Sequence, residues 1–233
     1  MEIRKSGLPD GTYLRIIVDE GEGRKLSYGG SQKWFEKTCP SVAAHGCGLI
    51  ALADLILYAR GRRRVRLDEY KAFVMDLYRR PDIFFEISVL RLGLYVPTLV
   101  LVAAKELGLA LPRGEVRWNL RPGRLSRMEE MLGAGLPVIL EIGKCLPGKG
   151  LPLYRDAAMK QASGRVSDHY LTVTGVVRTV DRGGKHTLLQ VSTWGEKRYI
   201  SCGDLNDYIA STGPLALRPL SELANNFLYI KTL

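Results

Sequence analysis

Apolar residues recur at helical spacing through Leu49, Ile50, Ala53 and Leu57, and Gly61 follows as a stop, so the pattern predicts a helix from Gly46 to Tyr58. That helix is apolar on almost every side, which marks it as central. Leu67 to Arg80 carries the amphipathic pattern of a second helix, with Asp68 and Glu69 in its first turn, Arg79 and Arg80 in its last, and Pro81 ending it. A third helix is predicted over Val96 to Leu107, closed by Gly108, and a fourth over Leu125 to Leu132, closed by Gly133. Beyond Gly135 the period changes. Strands are predicted at Pro137 to Ile142, His169 to Thr179, Thr187 to Thr193, Lys197 to Ser201 and Asn226 to Lys231, with Gly183-Gly184 as a hairpin turn. One earlier strand, Thr12 to Val18, stands alone near the start. Helices first and antiparallel strands later predict an α+β fold. The expectation is a single domain with a helical subdomain over about 36–134 and a β subdomain over about 135–233 that takes in strand 12–18, with a cleft between them.

Composition narrows the class. The chain has 233 residues, 46% of them apolar, enough to bury a sizeable core. Its start, Met1 to Gly7, is charged and lacks the apolar stretch of a signal peptide, so the expected location is the cytoplasm. The longest uncharged apolar run, Leu92 to Ala104, is shorter than the roughly 20 residues needed to cross a bilayer, so no membrane span is expected. The net charge of +10 is concentrated in Arg60 to Arg66 and Arg113 to Arg127, which reads as a solvated basic surface. No aromatics are interleaved with the arginine run, so nucleic acid is not the expected partner. The four cysteines show no CxxC pair, and in a chain without an export signal they are expected to be reduced. None of the three histidines lies three or four residues from a second ligand. Neither a metal nor a cofactor is expected.

The chemistry-bearing feature is Cys47, in Ala44-His45-Gly46-Cys47-Gly48-Leu49. A thiol at a helix start sits among unpaired backbone N–H groups at the positive end of the helix dipole, and both favour thiolate. A cysteine nucleophile also needs a base, and His169, opening a strand far downstream, is the candidate. His45 is the minor alternative. Cys39, Cys145 and Cys202 lack such a setting and read as structural, and His186 as exposed. Asp168 on a strand would point away from the face of His169. Asp54, two turns beyond Cys47 on the same helical face, reads as a buried carboxylate that pairs with an arginine or caps a network.

The order Gly46-Cys47-Gly48 before an apolar helix, then Gly135-Leu136-Pro137-Val138-Ile139-Leu140, His169-Tyr170-Leu171-Thr172-Val173-Thr174-Gly175 and Val191-Ser192-Thr193-Trp194-Gly195, resembles papain-like cysteine peptidases. It is most similar to their bacterial branch related to bacteriocin-leader (double-glycine) peptidases. The resemblance implies a helical lobe carrying the thiol, packed on an antiparallel β-sheet lobe carrying the histidine. It also implies a thiol-dependent peptidase or a related acyl-transfer enzyme, with Cys47 as nucleophile, His169 as general base and a peptide or protein as substrate. The family's oxyanion glutamine, about six residues before the cysteine, is replaced by Ser41; Gln32 is the only glutamine upstream of the thiol and the candidate for that role. Where the family has the asparagine that orients the histidine, Trp194-Gly195 aligns Ser192. These two departures leave a second reading open, a papain-like peptide-binding module without turnover.

Overall fold

Segments distant in sequence gather into two units in the computed structural model, which describes residues 2–9, 11–20, 23–91, 93–109, 116–119, 124–143, 150–181, 184–211 and 227–230. The first half contributes β1 (Glu2–Gly7), β2 (Arg15–Glu20), β3 (Gly23–Leu26), a 3-10 turn (Gln32–Phe35), α1 (Pro40–His45) and α2 (Cys47–Ala59). Next come β4 (Arg64–Arg66), α3 (Leu67–Tyr78), α4 (Pro81–Phe84), a π-helical segment (Phe85–Leu90), α5 (Val96–Leu107), β5 (Val116–Asn119) and α6 (Arg124–Gly133). The remainder is β6 (Val138–Ile142), β7 (Leu151–Tyr154), β8 (Ala162–Val166), β9 (His169–Asp181), β10 (Gly184–Thr193), β11 (Glu196–Ser201), α7 (Cys202–Ser211) and β12 (Phe227–Ile230). The architecture is mixed α+β with a large antiparallel sheet. Among the described residues, no helix is long and apolar enough to cross a membrane.

The helical unit comprises Pro9–Arg117, Ser192–Glu196 and Ile230–Leu233. Its axis is α2, buried at every residue from Gly48 to Tyr58, as expected of a helix with apolar side chains all round. Around it, α3 buries Tyr70, Val74, Leu77 and Tyr78, a single helical stripe. α5 buries Leu99, Val102 and Ala103 and closes on Gly108 in the left-handed conformation, the ending that a glycine permits. β2 pairs antiparallel with β3 and parallel with β4, setting Ile16 beside Val65, both buried. The arginine run meets local carboxylates: Arg60 with Glu106 at 2.8 Å, Arg62 with Glu69 at 2.5 Å and Arg66 with Asp68 at 3.3 Å.

The sheet unit comprises Met1–Leu8, Trp118–Val191 and Lys197–Tyr229. Its strand order is β5-β12-β6-β9-β10-β11-β7-β8, with β1 also paired to β9. Besides β10, β9 pairs with two strands: β6 takes its first half, from Ile142 opposite His169 to Val138 opposite Val173, and β1 takes its second, from Gly7 opposite Gly175 to Glu2 opposite Val180. α6 packs against β1, β6 and β9. The Ser6 hydroxyl on β1 donates to Glu129 on α6 at 3.2 Å.

Several segments fall in the other unit from the one the sequence grouping gives, and Ser192–Glu196, expected with the sheet, is one of them. The strand expected over 12–18 is observed at Arg15–Glu20, and it joins the small sheet of the helical unit because its partners are β3 and β4. The helix expected over 125–132 belongs with the sheet, since the sheet's β1 and β9 supply its packing surface. The second helix stops at Tyr78, and Pro81 opens the next helical turn at its first position, where a missing N–H is harmless. Gly183 and Cys145, and the ends of the predicted strand 226–231, lie outside the described residues.

Candidate functional site in the helical unit

Glycine makes the approach to the thiol. α1 ends at His45, α2 begins at Cys47, and Gly46 between them donates its N–H to the Val42 carbonyl at 2.8 Å while its own carbonyl accepts from Ile50 at 2.9 Å. A Cβ at Gly46 would overlap the Val42 carbonyl oxygen, so this junction accepts no side chain. Cys47 thereby takes the first position of a buried 13-residue helix, itself half-buried, as a thiol that is not in a disulfide. Gln32, in the 3-10 turn, donates its side-chain amide to the Ala43 carbonyl at 2.8 Å. Ala43 lies on α1, one helical turn ahead of Cys47. Ser41 also lies on α1, at its first turn.

The loop that delivers Gln32 is held from inside the unit. Asp54, on the same helix as Cys47, is fully enclosed and accepts from the Gly30 amide on both oxygens, at 3.1 and 3.0 Å. It also accepts from the Tyr70 hydroxyl at 2.7 Å and the Tyr13 hydroxyl at 3.0 Å. Desolvation pushes its pKa up to about 6 against the opposing pull of these donors. The same burial, with the neighbouring carboxylate, drives the Tyr70 phenol well above its usual range. The expectation of a buried network is met by tyrosines and a backbone amide.

A second brace comes from the chain near Trp194. Trp194 and Gly195 both have positive φ, 53° and 77°, the pattern of a two-residue type I′ hairpin turn between β10 and β11. Gly195 exchanges backbone bonds with the loop, donating to the Gly30 carbonyl at 2.8 Å and accepting from Tyr28 at 2.7 Å. The buried Ser192 hydroxyl donates to the Tyr28 carbonyl at 2.7 Å. Lys33 lies 5.4 Å above the Trp194 ring. Gly29, with φ of 71°, sits where these braces converge, and a Cβ there would overlap Asp54 Oδ2 and Ser192 Oγ.

His169 belongs to the sheet unit. It opens β9 opposite Ile142 and is buried, and burial lowers its pKa to about 4, leaving the imidazole uncharged at neutral pH. Asp168 precedes it at φ 52°, before the strand begins, and stays exposed. On the neighbouring register pair, Tyr170 donates to Glu141 at 3.0 Å, and desolvation lifts Glu141 to about 7. Of the four residues singled out from sequence, Cys47, Gln32 and Ser192 thus share the helical unit and its braced loop, and His169 stands on the sheet. Asp54's role was visible only as a buried acid; its partners at 13, 30 and 70 carry no sequence signal. Among the described residues, no group of three or more His, Cys, Asp or Glu side chains is placed to hold a metal ion. Comparison with known proteins finds no family model, no curated protein and no solved structure that matches the chain.

Proposed function

We propose that the chain is a thiol-dependent peptidase of papain-like type, with Cys47 as nucleophile and His169 as general base. The observation that carries this reading is the anchoring of Gln32 to Ala43: an amide group is fixed against the turn that leads into a half-buried thiol at a helix start. The second N–H of that amide and the first backbone amides of α2 are donors of the kind that stabilise an oxyanion. In the proposed reaction the Cys47 sulfur bonds to a peptide carbonyl carbon while its proton passes to the imidazole of His169. Collapse of the adduct breaks the C–N bond, and the imidazole returns the proton to the departing amine. Water then cleaves the thioester and regenerates the thiol. An uncharged imidazole at neutral pH is the form that accepts a proton.

Incubation with peptides containing a Gly-Gly segment, read by mass spectrometry, tests the reading. Cleavage that falls by roughly 10³-fold or more in both Cys47→Ala and His169→Ala supports it. Cleavage that survives Cys47→Ala rejects it. A second reading, a peptide-binding module without turnover, is favoured by one observation: the Ser192 hydroxyl proton is given to Tyr28 in place of the asparagine amide that the family uses. That module would retain peptide affinity in Cys47→Ala and show no cleavage in the unaltered chain.

A further inference from the structure

One stretch of the helical unit gathers exposed apolar side chains that peptidase chemistry does not use. Of the nine large apolar side chains that stand exposed among the described residues, six fall within residues 84–101: Phe84, Phe85, Val89, Leu90, Tyr95 and Leu101, between 39% and 57% exposed. Single exposed apolar residues are ordinary, whereas a cluster marks an interaction surface. Local geometry joins these six. Phe85, Val89 and Leu90 lie on the π-helical segment Phe85–Leu90, whose i→i+5 bonding sets positions four and five apart on one face. The Phe84 ring, next in the chain, packs on Tyr78 with centroids 5.6 Å apart. Glu86 staples the segment to the start of α5, accepting from the Tyr95 N–H at 2.9 Å and from the Thr98 hydroxyl. Leu90 follows Glu86 by one turn, and Leu101 follows Thr98 by one turn, so both flank that staple.

Cations border the patch. Arg79 follows Tyr78 at the end of α3, Arg91 caps the π-helical segment directly after Leu90, and Lys105 lies one turn beyond Leu101 on α5. All three are exposed, and none pairs with a carboxylate among the described residues. The nearby acids are engaged: Asp82 with Arg80, Glu106 with Arg80 and Arg60, and Glu86 in the staple. An apolar face with aromatic members and a positive border complements an anionic lipid surface, where apolar side chains enter the interface and basic ones meet the headgroups. A second copy fits the charge poorly. A twofold contact sets one patch against itself, which would bring both sets of cations round one seam in a chain of net charge +10.

We propose that this face docks the chain reversibly on a membrane surface rich in anionic lipid. The test is co-sedimentation of the full chain with vesicles of phosphatidylcholine alone and of phosphatidylcholine with about 30% phosphatidylserine, at about 100 mM and about 300 mM salt. Binding to the mixed vesicles should be about tenfold tighter or more, and should weaken at the higher salt. Val89→Asp and Leu101→Asp, at the two most exposed positions of the patch, should each weaken it about tenfold. Arg91→Gln should weaken it about fivefold. Arg64→Gln removes an equal charge from β4, at the other end of α3 from Arg79, and should leave binding within about twofold of the unaltered chain. Arg91→Gln removes no apolar contact, so the test stays decisive should an aspartate variant fail to fold. Absence of binding, equal binding to both vesicle types, affinity unchanged in the aspartate variants, or a loss in Arg64→Gln equal to that in Arg91→Gln would each overturn the proposal. A dimer of the unaltered chain in sedimentation velocity that Val89→Asp dissolves would also overturn it and assign the face to a second copy.

Discussion

Both carboxylate oxygens of Asp54 lie within hydrogen-bond distance of the Gly30 amide, at 3.1 and 3.0 Å, and this ties the helix that bears Cys47 to the loop that bears Gln32. The tie is buried and has two further donors, so its loss is expensive. Asp54→Leu strands the Gly30 amide and the hydroxyls of Tyr13 and Tyr70 without their acceptor, which should cost roughly 3 kcal/mol or more. Tyr70→Phe removes one donor and should cost about 1–2 kcal/mol. Urea unfolding of the three proteins checks the order: unaltered chain, then Tyr70→Phe, then Asp54→Leu.

The same carboxylate makes stability depend on pH. Its folded pKa, about 6, lies above the ordinary 3.8, so the folded state holds a proton that the unfolded chain releases between those values. The associated stability is fully present below about pH 3.8 and is lost as pH rises through about 6. Two groups of the sheet unit titrate nearby. Glu141, raised from 4.5 to about 7, acts in the same direction. His169, lowered from 6.5 to about 4, contributes stability above 6.5 that is lost as pH falls through about 4. Comparison of the unaltered chain with Asp54→Asn isolates one group. Their difference in unfolding free energy should move by about 2 kcal/mol in favour of the Asp54→Asn variant between pH 4 and pH 7. A difference independent of pH would refute the buried carboxylate.

Ser192 braces the loop in the structure by donating its hydroxyl proton to the Tyr28 carbonyl. Ser192→Ala should lower stability by about 1 kcal/mol through the Tyr28 carbonyl and leave the shape of a pH–rate profile intact. An orienter would shift that profile. The pair of measurements, unfolding and pH–rate, separates the two roles.

Gly29→Ala should destabilise by more than about 1 kcal/mol, because alanine at φ 71° is strained and its Cβ would overlap Asp54 and Ser192. Thermal unfolding reads this directly, and the Gln32 loop should become more susceptible to proteolysis in the variant.

The elements written by local pattern were legible. The helix over 96–107 matches its predicted limits because Gly108 supplies a left-handed ending, and the strand over 138–142 follows from an apolar run interrupted only at Glu141. What the sequence hid was set by distant partners. β1 reads Glu-Ile-Arg-Lys-Ser-Gly, too charged to announce a strand, and exists by pairing with β9. β8, Ala162–Val166, is mostly exposed and contains a glycine, and it is held by β7. α7 buries only Leu205 and Tyr208 among its described apolar side chains, a stripe too thin to recognise. The site divides in the same way. Cys47 at its helix start follows from Gly46 and the apolar run after it, whereas the partners of Gln32 and Asp54 are brought together only by folding.

The most direct measurement is the rate at which iodoacetamide alkylates each cysteine of the native chain between pH 6 and 8, mapped by peptide mass spectrometry. Cys39 is buried, and burial pushes the Cys202 thiol up to about 11. The account predicts that Cys47 is modified first, already at pH 6–7, and that its modification abolishes peptide cleavage. Alkylation of Cys202 or Cys145 ahead of Cys47, with Cys47 inert across this range, would contradict it.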